Sequence, residues 1–145
     1  MNVKPWDEIA GKIRLLEFEE SFDLIVAIAN GGIIPAAMIN QRLQIPMELL
    51  KINYRNAKQQ PVYDSPRLLE PLHCNVSGKK LLLVEDRVKT GATLNYAVQL
   101  LSAAALVKTF AVNGKADYAL FDENCFSFPW IVGTAAIKET AHYSY

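Results

Sequence analysis

The chain has 145 residues, with 15 Lys+Arg balanced by 15 Asp+Glu and a pI near 6.7. That length suits a single domain over residues 1–145, and 51% hydrophobic with 21% charged residues marks a folded globular chain rather than a disordered one. Zero net charge lacks the positive field that coating a nucleic acid requires, so no nucleic-acid partner is expected. No run of about 18 apolar residues is present, so no membrane partner is expected either. The opening MNVKPWDEIAGK has no secretory apolar stretch, and Cys74 and Cys125 form neither a CxxC motif nor a disulfide framework. A reducing cytoplasm is the expected compartment.

Along the chain, Trp6, Ile9, Ile13 and Leu16 recur at helical spacing. DLIVAIA (23–29) is an apolar run too short for a helix and bounded by Asn30-Gly31-Gly32, which predicts a strand buried on both faces. IIPAAMINQRL predicts a helix opening near Pro35, where a missing N–H costs little. MELLKINY (47–54) predicts a second strand. Residues 55–71 are polar, carry three prolines and, at roughly 17 residues, predict a long exposed loop of the length that functional lids have. Over residues 55–67, Arg55, Lys58 and Arg67 stand against Asp64 alone. LLLVED then predicts a buried strand, TGATLNYAVQLLSAAA a turn and helix with Leu94, Val98 and Leu101 on one stripe, and LVKTFAV another strand. YALF and FPWIVGTAAI are short apolar bursts near the end. Alternating strands and helices predict an α/β fold with a mostly parallel sheet, whose ligands bind beyond the carboxyl ends of the strands.

Two segments fall at such ends, AIANGG and VEDRVKTGAT. In the second, Glu85 and Asp86 follow an apolar strand. Burying two adjacent carboxylates is costly, so they are expected to face solvent, a cation or hydroxyl donors. Gly91 permits a close approach of backbone to ligand, and the N–H groups of a helix start beside Thr90 and Thr93 suit a phosphate. A sugar phosphate fits this grouping, with ribose hydroxyls or Mg²⁺ on the carboxylates. The same residues also read more plainly, as a strand end followed by a helix whose N-cap is Thr90 or Thr93. Asn30-Gly31 likewise reads either as a ligand loop entering a helix or as a hairpin turn.

VEDRVKTGATL resembles the phosphoribosyl-pyrophosphate motif of the type I phosphoribosyltransferases: apolar strand, two acids, short loop, Thr-Gly-x-Thr. FDLIVAIANGGIIPAAMINQRLQIP is similar to that family's first strand, pyrophosphate loop and helix, and INYRN with the loop after it to its lid. FPWIVG is similar to the base-stacking segment of the bacterial xanthine-guanine branch. The resemblance implies a three-layer, doubly wound, mostly parallel sheet with a small C-terminal hood. It further implies transfer of ribose 5-phosphate from phosphoribosyl pyrophosphate to a purine-type nucleobase, with pyrophosphate released and Mg²⁺ as cofactor. By the same resemblance, Glu85 and Asp86 hold the ribose hydroxyls and the metal, directly or through water. Lys89, Thr90, Gly91, Ala92 and Thr93 hold the 5-phosphate, with Lys89 also at a catalytic position. Asn30, Gly31 and Gly32 lie against the pyrophosphate with glycine N–H groups exposed, and Trp130 and Ile131 receive the base. A homo-oligomer is also in keeping with the family.

Three positions depart from the pattern. Lys89 stands where 6-oxopurine enzymes usually carry an aspartate, Asn30 where a basic residue is common, and Val112 where the xanthine-guanine branch has a lysine, with Lys115 three residues on. These departures define a rival reading, a non-catalytic protein on the same fold that senses phosphoribosyl pyrophosphate or a nucleotide.

Overall fold

The computed structural model describes residues 2–53, 63–124 and 126–133. Among them, in chain order, are α1 (Trp6–Leu15), β1 (Leu24–Ala29), α2 (Ile33–Leu43), β2 (Met47–Asn53), β3 (Arg67–Leu68), β4 (Lys80–Arg87), α3 (Ala92–Leu100), β5 (Leu106–Asn113) and β6 (Tyr118–Phe121). The strands form one sheet in the order β3-β2-β1-β4-β5-β6. All neighbours are parallel except β2 and β3.

Burial on both faces explains the apolar runs. Along β1 every residue is buried, Ile25 and Ala27 toward one face and Leu24, Val26 and Ile28 toward the other. The first face is covered by α1 and α2 through Ile9, Ile13, Ala36 and Ile39. The second is covered by α3 through Leu94, Ala97 and Leu101. Each buried Leu or Ile contributes about 1.5–3 kcal/mol over leaving it in water, so the two faces together fix three layers. The aromatic segment Phe126, Phe128 and Trp130 joins the first face as a small hood, and a parallel bridge between Val3 and Ser127 ties the N-terminal segment to it.

The proposed exposed loop over 55–71 needs correction at its end. Arg67 and Leu68 pair antiparallel with Asn53 and Ile52 as an edge strand, and Lys51 bridges Glu70 at 2.6 Å. Residues 54–62, which carry Tyr54, Arg55 and Lys58, lie outside the described residues, as does Cys125. Among the described residues, no helix is long and apolar enough to cross a membrane.

Candidate functional site

The sheet order places a switch of chain direction between β1 and β4. From β1 the chain crosses over α2 to β2 on one side; from β4 it crosses over α3 to β5 on the other. With α2 and α3 on opposite faces, the loops leaving β1 and β4 diverge and open a crevice at the strands' carboxyl ends, the usual ligand position in such sheets. The pairing shows the opening: Ala27 is opposite Val84, after which Ile28 and Ala29 pair with β2, and Glu85 and Arg87 with β5.

At that point sit the two acids, still inside β4 rather than beyond it. Glu85 and Asp86 are only 4% and 3% exposed. The expectation that they face solvent is therefore overturned: the strand carries them into the interior. Backbone donors hold them there. The Asp86 N–H donates to Glu85 Oε1 at 3.0 Å, and the Arg87 N–H to Asp86 Oδ1 at 2.6 Å. Burial, then the charge of Asp86, pushes the Glu85 carboxyl well above its ordinary range. Burial raises Asp86 as well, against the pull of its hydrogen bond with Glu85 and of the Arg87 charge. The pair thus favours holding a proton until a cation or a hydrogen-bonding ligand replaces it.

Opposite lies the turn Asn30-Gly31-Gly32, entered through a cis Ala29–Asn30 peptide. It opens α2 directly, and β1 and β2 are parallel, so the hairpin alternative is excluded. Both glycines are demanded by contact. A Cβ on Gly31 would meet the Asp86 carboxylate at 2.6 Å. One on Gly32 would meet the Ile28 carbonyl oxygen at 2.8 Å and the Val84 carbonyl oxygen closer still. Gly32 departs from the expectation that its N–H is exposed, because that N–H donates to the Ile28 carbonyl at 2.7 Å. Asn30 is exposed, and its carbonyl accepts from the Ile33 N–H at 3.1 Å.

After β4, Lys89 and Thr90 are exposed on the turn into α3. The helix N-cap is Gly91, at φ 87°, a conformation that glycine reaches without strain. Neither threonine takes the N-cap position; Thr90 Oγ1 instead accepts from the Ala92 N–H at 3.3 Å, one residue inside the helix. Ala92 and Thr93 form the first turn, half-buried.

The base-side candidates lie in the hood. Trp130 is half-buried and stacks nearly parallel on Phe128, with centroids 4.8 Å apart, while Trp6 tilts against it at 5.7 Å. Ile131 beside it is 38% exposed. Val112 is fully buried core in β5, and Lys115 is exposed in the loop after it. That loop is fixed to the β4–α3 turn, since Val88 N–H donates to Asn113 O at 2.9 Å and Gly114 lies against the Val88 backbone.

Three contributors escaped the sequence reading: Arg87, Gly114 and Trp6. Gly114 has a signal, a glycine just past a strand end, but nothing in spacing reveals that it meets Val88.

A family model described as the phosphoribosyl transferase domain matches residues 3–139. The chain is 30% identical over 142 residues to the xanthine-guanine phosphoribosyltransferase of Chromohalobacter salexigens, covering 92% of this chain and 85% of that protein. It is 34% identical over 82 residues to the orotate phosphoribosyltransferase of Sulfurisphaera tokodaii, a stretch spanning 57% of this chain and 37% of that longer protein. In fold it is similar to the purine phosphoribosyltransferase of Pyrococcus horikoshii, with a TM-score of 0.76 at 23% identity, covering 94% of this chain and 97% of that one.

Proposed function

Since the chain belongs to the phosphoribosyl transferase family, we propose that it transfers ribose 5-phosphate from phosphoribosyl pyrophosphate to a purine-type nucleobase. One observation carries this reading. A buried pair of adjacent carboxylates, Glu85 and Asp86, ends β4 where β1 and β4 part, with Asp86 against Gly31 of the glycine turn and the start of α3 a few residues on.

In the transfer, the bond from ribose C1′ to pyrophosphate breaks, and its electron pair leaves on the pyrophosphate. A ring nitrogen of the base forms the new bond and gives up its proton to the departing pyrophosphate or to water. Positive charge grows on the ribose as the old bond loosens, and ionised carboxylates held in a low-dielectric site stabilise it. On this reading Glu85 and Asp86 accept from the ribose hydroxyls, and Lys89 to Thr93 surround the 5-phosphate with a cation, two hydroxyls and helix-start N–H groups. Asn30 offers hydrogen bonds to the pyrophosphate without charge.

Magnesium fits these residues. The carboxylates are hard oxygen donors, buried, and reluctant to ionise without a cation beside them. Glu85 and Asp86 would hold it, and it would neutralise the leaving pyrophosphate.

The long match to a xanthine-guanine enzyme supports a purine, whereas the partial match to an orotate enzyme keeps a pyrimidine in the test. A panel of nucleobases with phosphoribosyl pyrophosphate and Mg²⁺ should release pyrophosphate with at least one purine. Release with orotate alone would move the substrate class. The sensing alternative is favoured by Lys89, which brings a cation where a proton-accepting carboxylate would serve a 6-oxopurine, and by Val112, which is closed into the core. Binding without release for every base would establish it.

A further inference from the structure

Arg87 ends β4 and is attached at both of its own ends. Its backbone N–H donates to Asp86 Oδ1, the carboxylate that rests against Gly31. Its side chain reaches 39 residues along the sequence to the hood, where Nη2 donates to the Phe126 carbonyl oxygen. The guanidinium carbon lies 4.7 Å over the Phe128 ring. Trp130 stacks on the same ring at 4.8 Å and 7°, so Phe128 is shared between the guanidinium and the indole. Trp6, 46% exposed, closes the outer end.

This column is poor economy as packing. Arg87 Nε and Trp130 Nε1 are both buried with no hydrogen-bond partner among the described residues, and each such donor costs about 1–3 kcal/mol. An aliphatic residue at the end of β4 would avoid the Arg87 cost. What it would lose is the side-chain link from the end of β4 to the hood, which the guanidinium makes by lying over a ring and donating to a carbonyl at once.

We infer that Arg87 is a positioning residue that sets where the Trp130 ring stands relative to Glu85 and Asp86, and so fixes the base platform against the ribose site. The inference rests on the base-transfer reading for its kinetic consequence, but not for its structural one. Trp6 and Trp130 are the two tryptophans of the sequence, so in a Trp6→Phe background the fluorescence reports Trp130 alone, with an aromatic ring kept at position 6.

In that background, Arg87→Met should at least double acrylamide quenching of Trp130. It should also raise the KM for the base about tenfold, the worth of a charge-assisted hydrogen bond, clearly more than it weakens the Kd for phosphoribosyl pyrophosphate. Arg87→Lys should recover part of both losses, since it keeps the charge over Phe128 without the planar fork; it also serves as the comparison if Arg87→Met does not fold. Unchanged quenching in both variants would overturn the inference. So would a Kd for phosphoribosyl pyrophosphate weakened as much as the base KM, which would place the action of Arg87 on the acid pair instead. If the unsubstituted protein turns over no base at all, the transfer reading fails, and quenching still decides the role of Arg87.

Discussion

β1 and β4 lie side by side in the middle of the sheet, are buried alike, and differ in what they bury. β1 is Leu-Ile-Val-Ala-Ile-Ala throughout. β4 is apolar from Leu81 to Val84 and then carries Glu85, Asp86 and Arg87, with the two acids as deeply enclosed as the leucines before them. The first strand contributes stability at every position, and its service to the site begins only at the turn beyond it. The second gives up stability at its carboxyl end by enclosing two carboxylates, which the proposed function assigns to a ligand, a cost that residues selected for packing alone would not carry. Stability and binding should therefore respond in opposite directions to changes at the end of β4, and in the same direction at the end of β1.

The largest expected effect is on binding. Glu85→Gln with Asp86→Asn keeps the shape of β4 and removes its charge, and affinity for phosphoribosyl pyrophosphate with Mg²⁺ should fall by about a hundredfold or more, each lost charged contact contributing ~1.5–3 kcal/mol. Next comes the turn after β1. Gly32→Ala drives a methyl into the carbonyls of Val84 and Ile28 and should destabilise by ~2–4 kcal/mol, read by denaturant midpoint. Gly31→Ala instead meets a side chain. A double-mutant cycle with Asp86→Ser should show coupling of about 1 kcal/mol, since the serine vacates the space that the new methyl needs.

Glu85→Gln alone should then raise stability by ~1 kcal/mol at neutral pH, a few degrees in Tm. The pH dependence carries the same contrast. Glu85 holds its proton in the folded chain to a pH well above its ordinary 4.5, so above that value the unfolded chain releases the proton first. Unliganded stability must fall as pH rises from 4.5 through the raised value, and binding of a divalent cation should release protons over the same window. A titration of Tm against pH checks the slope, which Glu85→Gln should flatten. Confined to turnover, Lys89→Asp should raise release of pyrophosphate with a 6-oxopurine about tenfold if an acid at that position limits the reaction.

The same two strands show what a sequence discloses. β1, β4 and β5 are legible because a strand covered on both faces leaves an unbroken apolar run, and α1 and α3 because Ile9 and Ile13, and Leu94 and Leu101, repeat at helical spacing. The acid pair and the glycine turn were legible as neighbours of strand ends. Their burial was not, because the cost of enclosing carboxylates argues against it until the backbone donors of Asp86 and Arg87 are seen. β3 is two residues on an edge, too short to impose alternation. The reach of Arg87 to Phe126, the contact of Gly114 with Val88 and the bridge from Val3 to Ser127 join positions far apart in the chain, and periodicity carries no information about such pairs.

The opening balance of 15 positive and 15 negative charges is consistent with a polyanionic ligand once the charges are placed. On the proposed reading, attraction would be concentrated at the carboxyl edge of the sheet, in Lys89, the start of α3 and the cation that Glu85 and Asp86 would hold. The most direct measurement is a calorimetric titration of phosphoribosyl pyrophosphate, with Mg²⁺, into the protein and into Glu85→Gln/Asp86→Asn. Saturable heat with the first and none with the second, the variant still melting cooperatively, is the predicted result. No heat with the unsubstituted protein, or equal affinity in the two, would contradict the assignment of the buried acid pair as the binding centre.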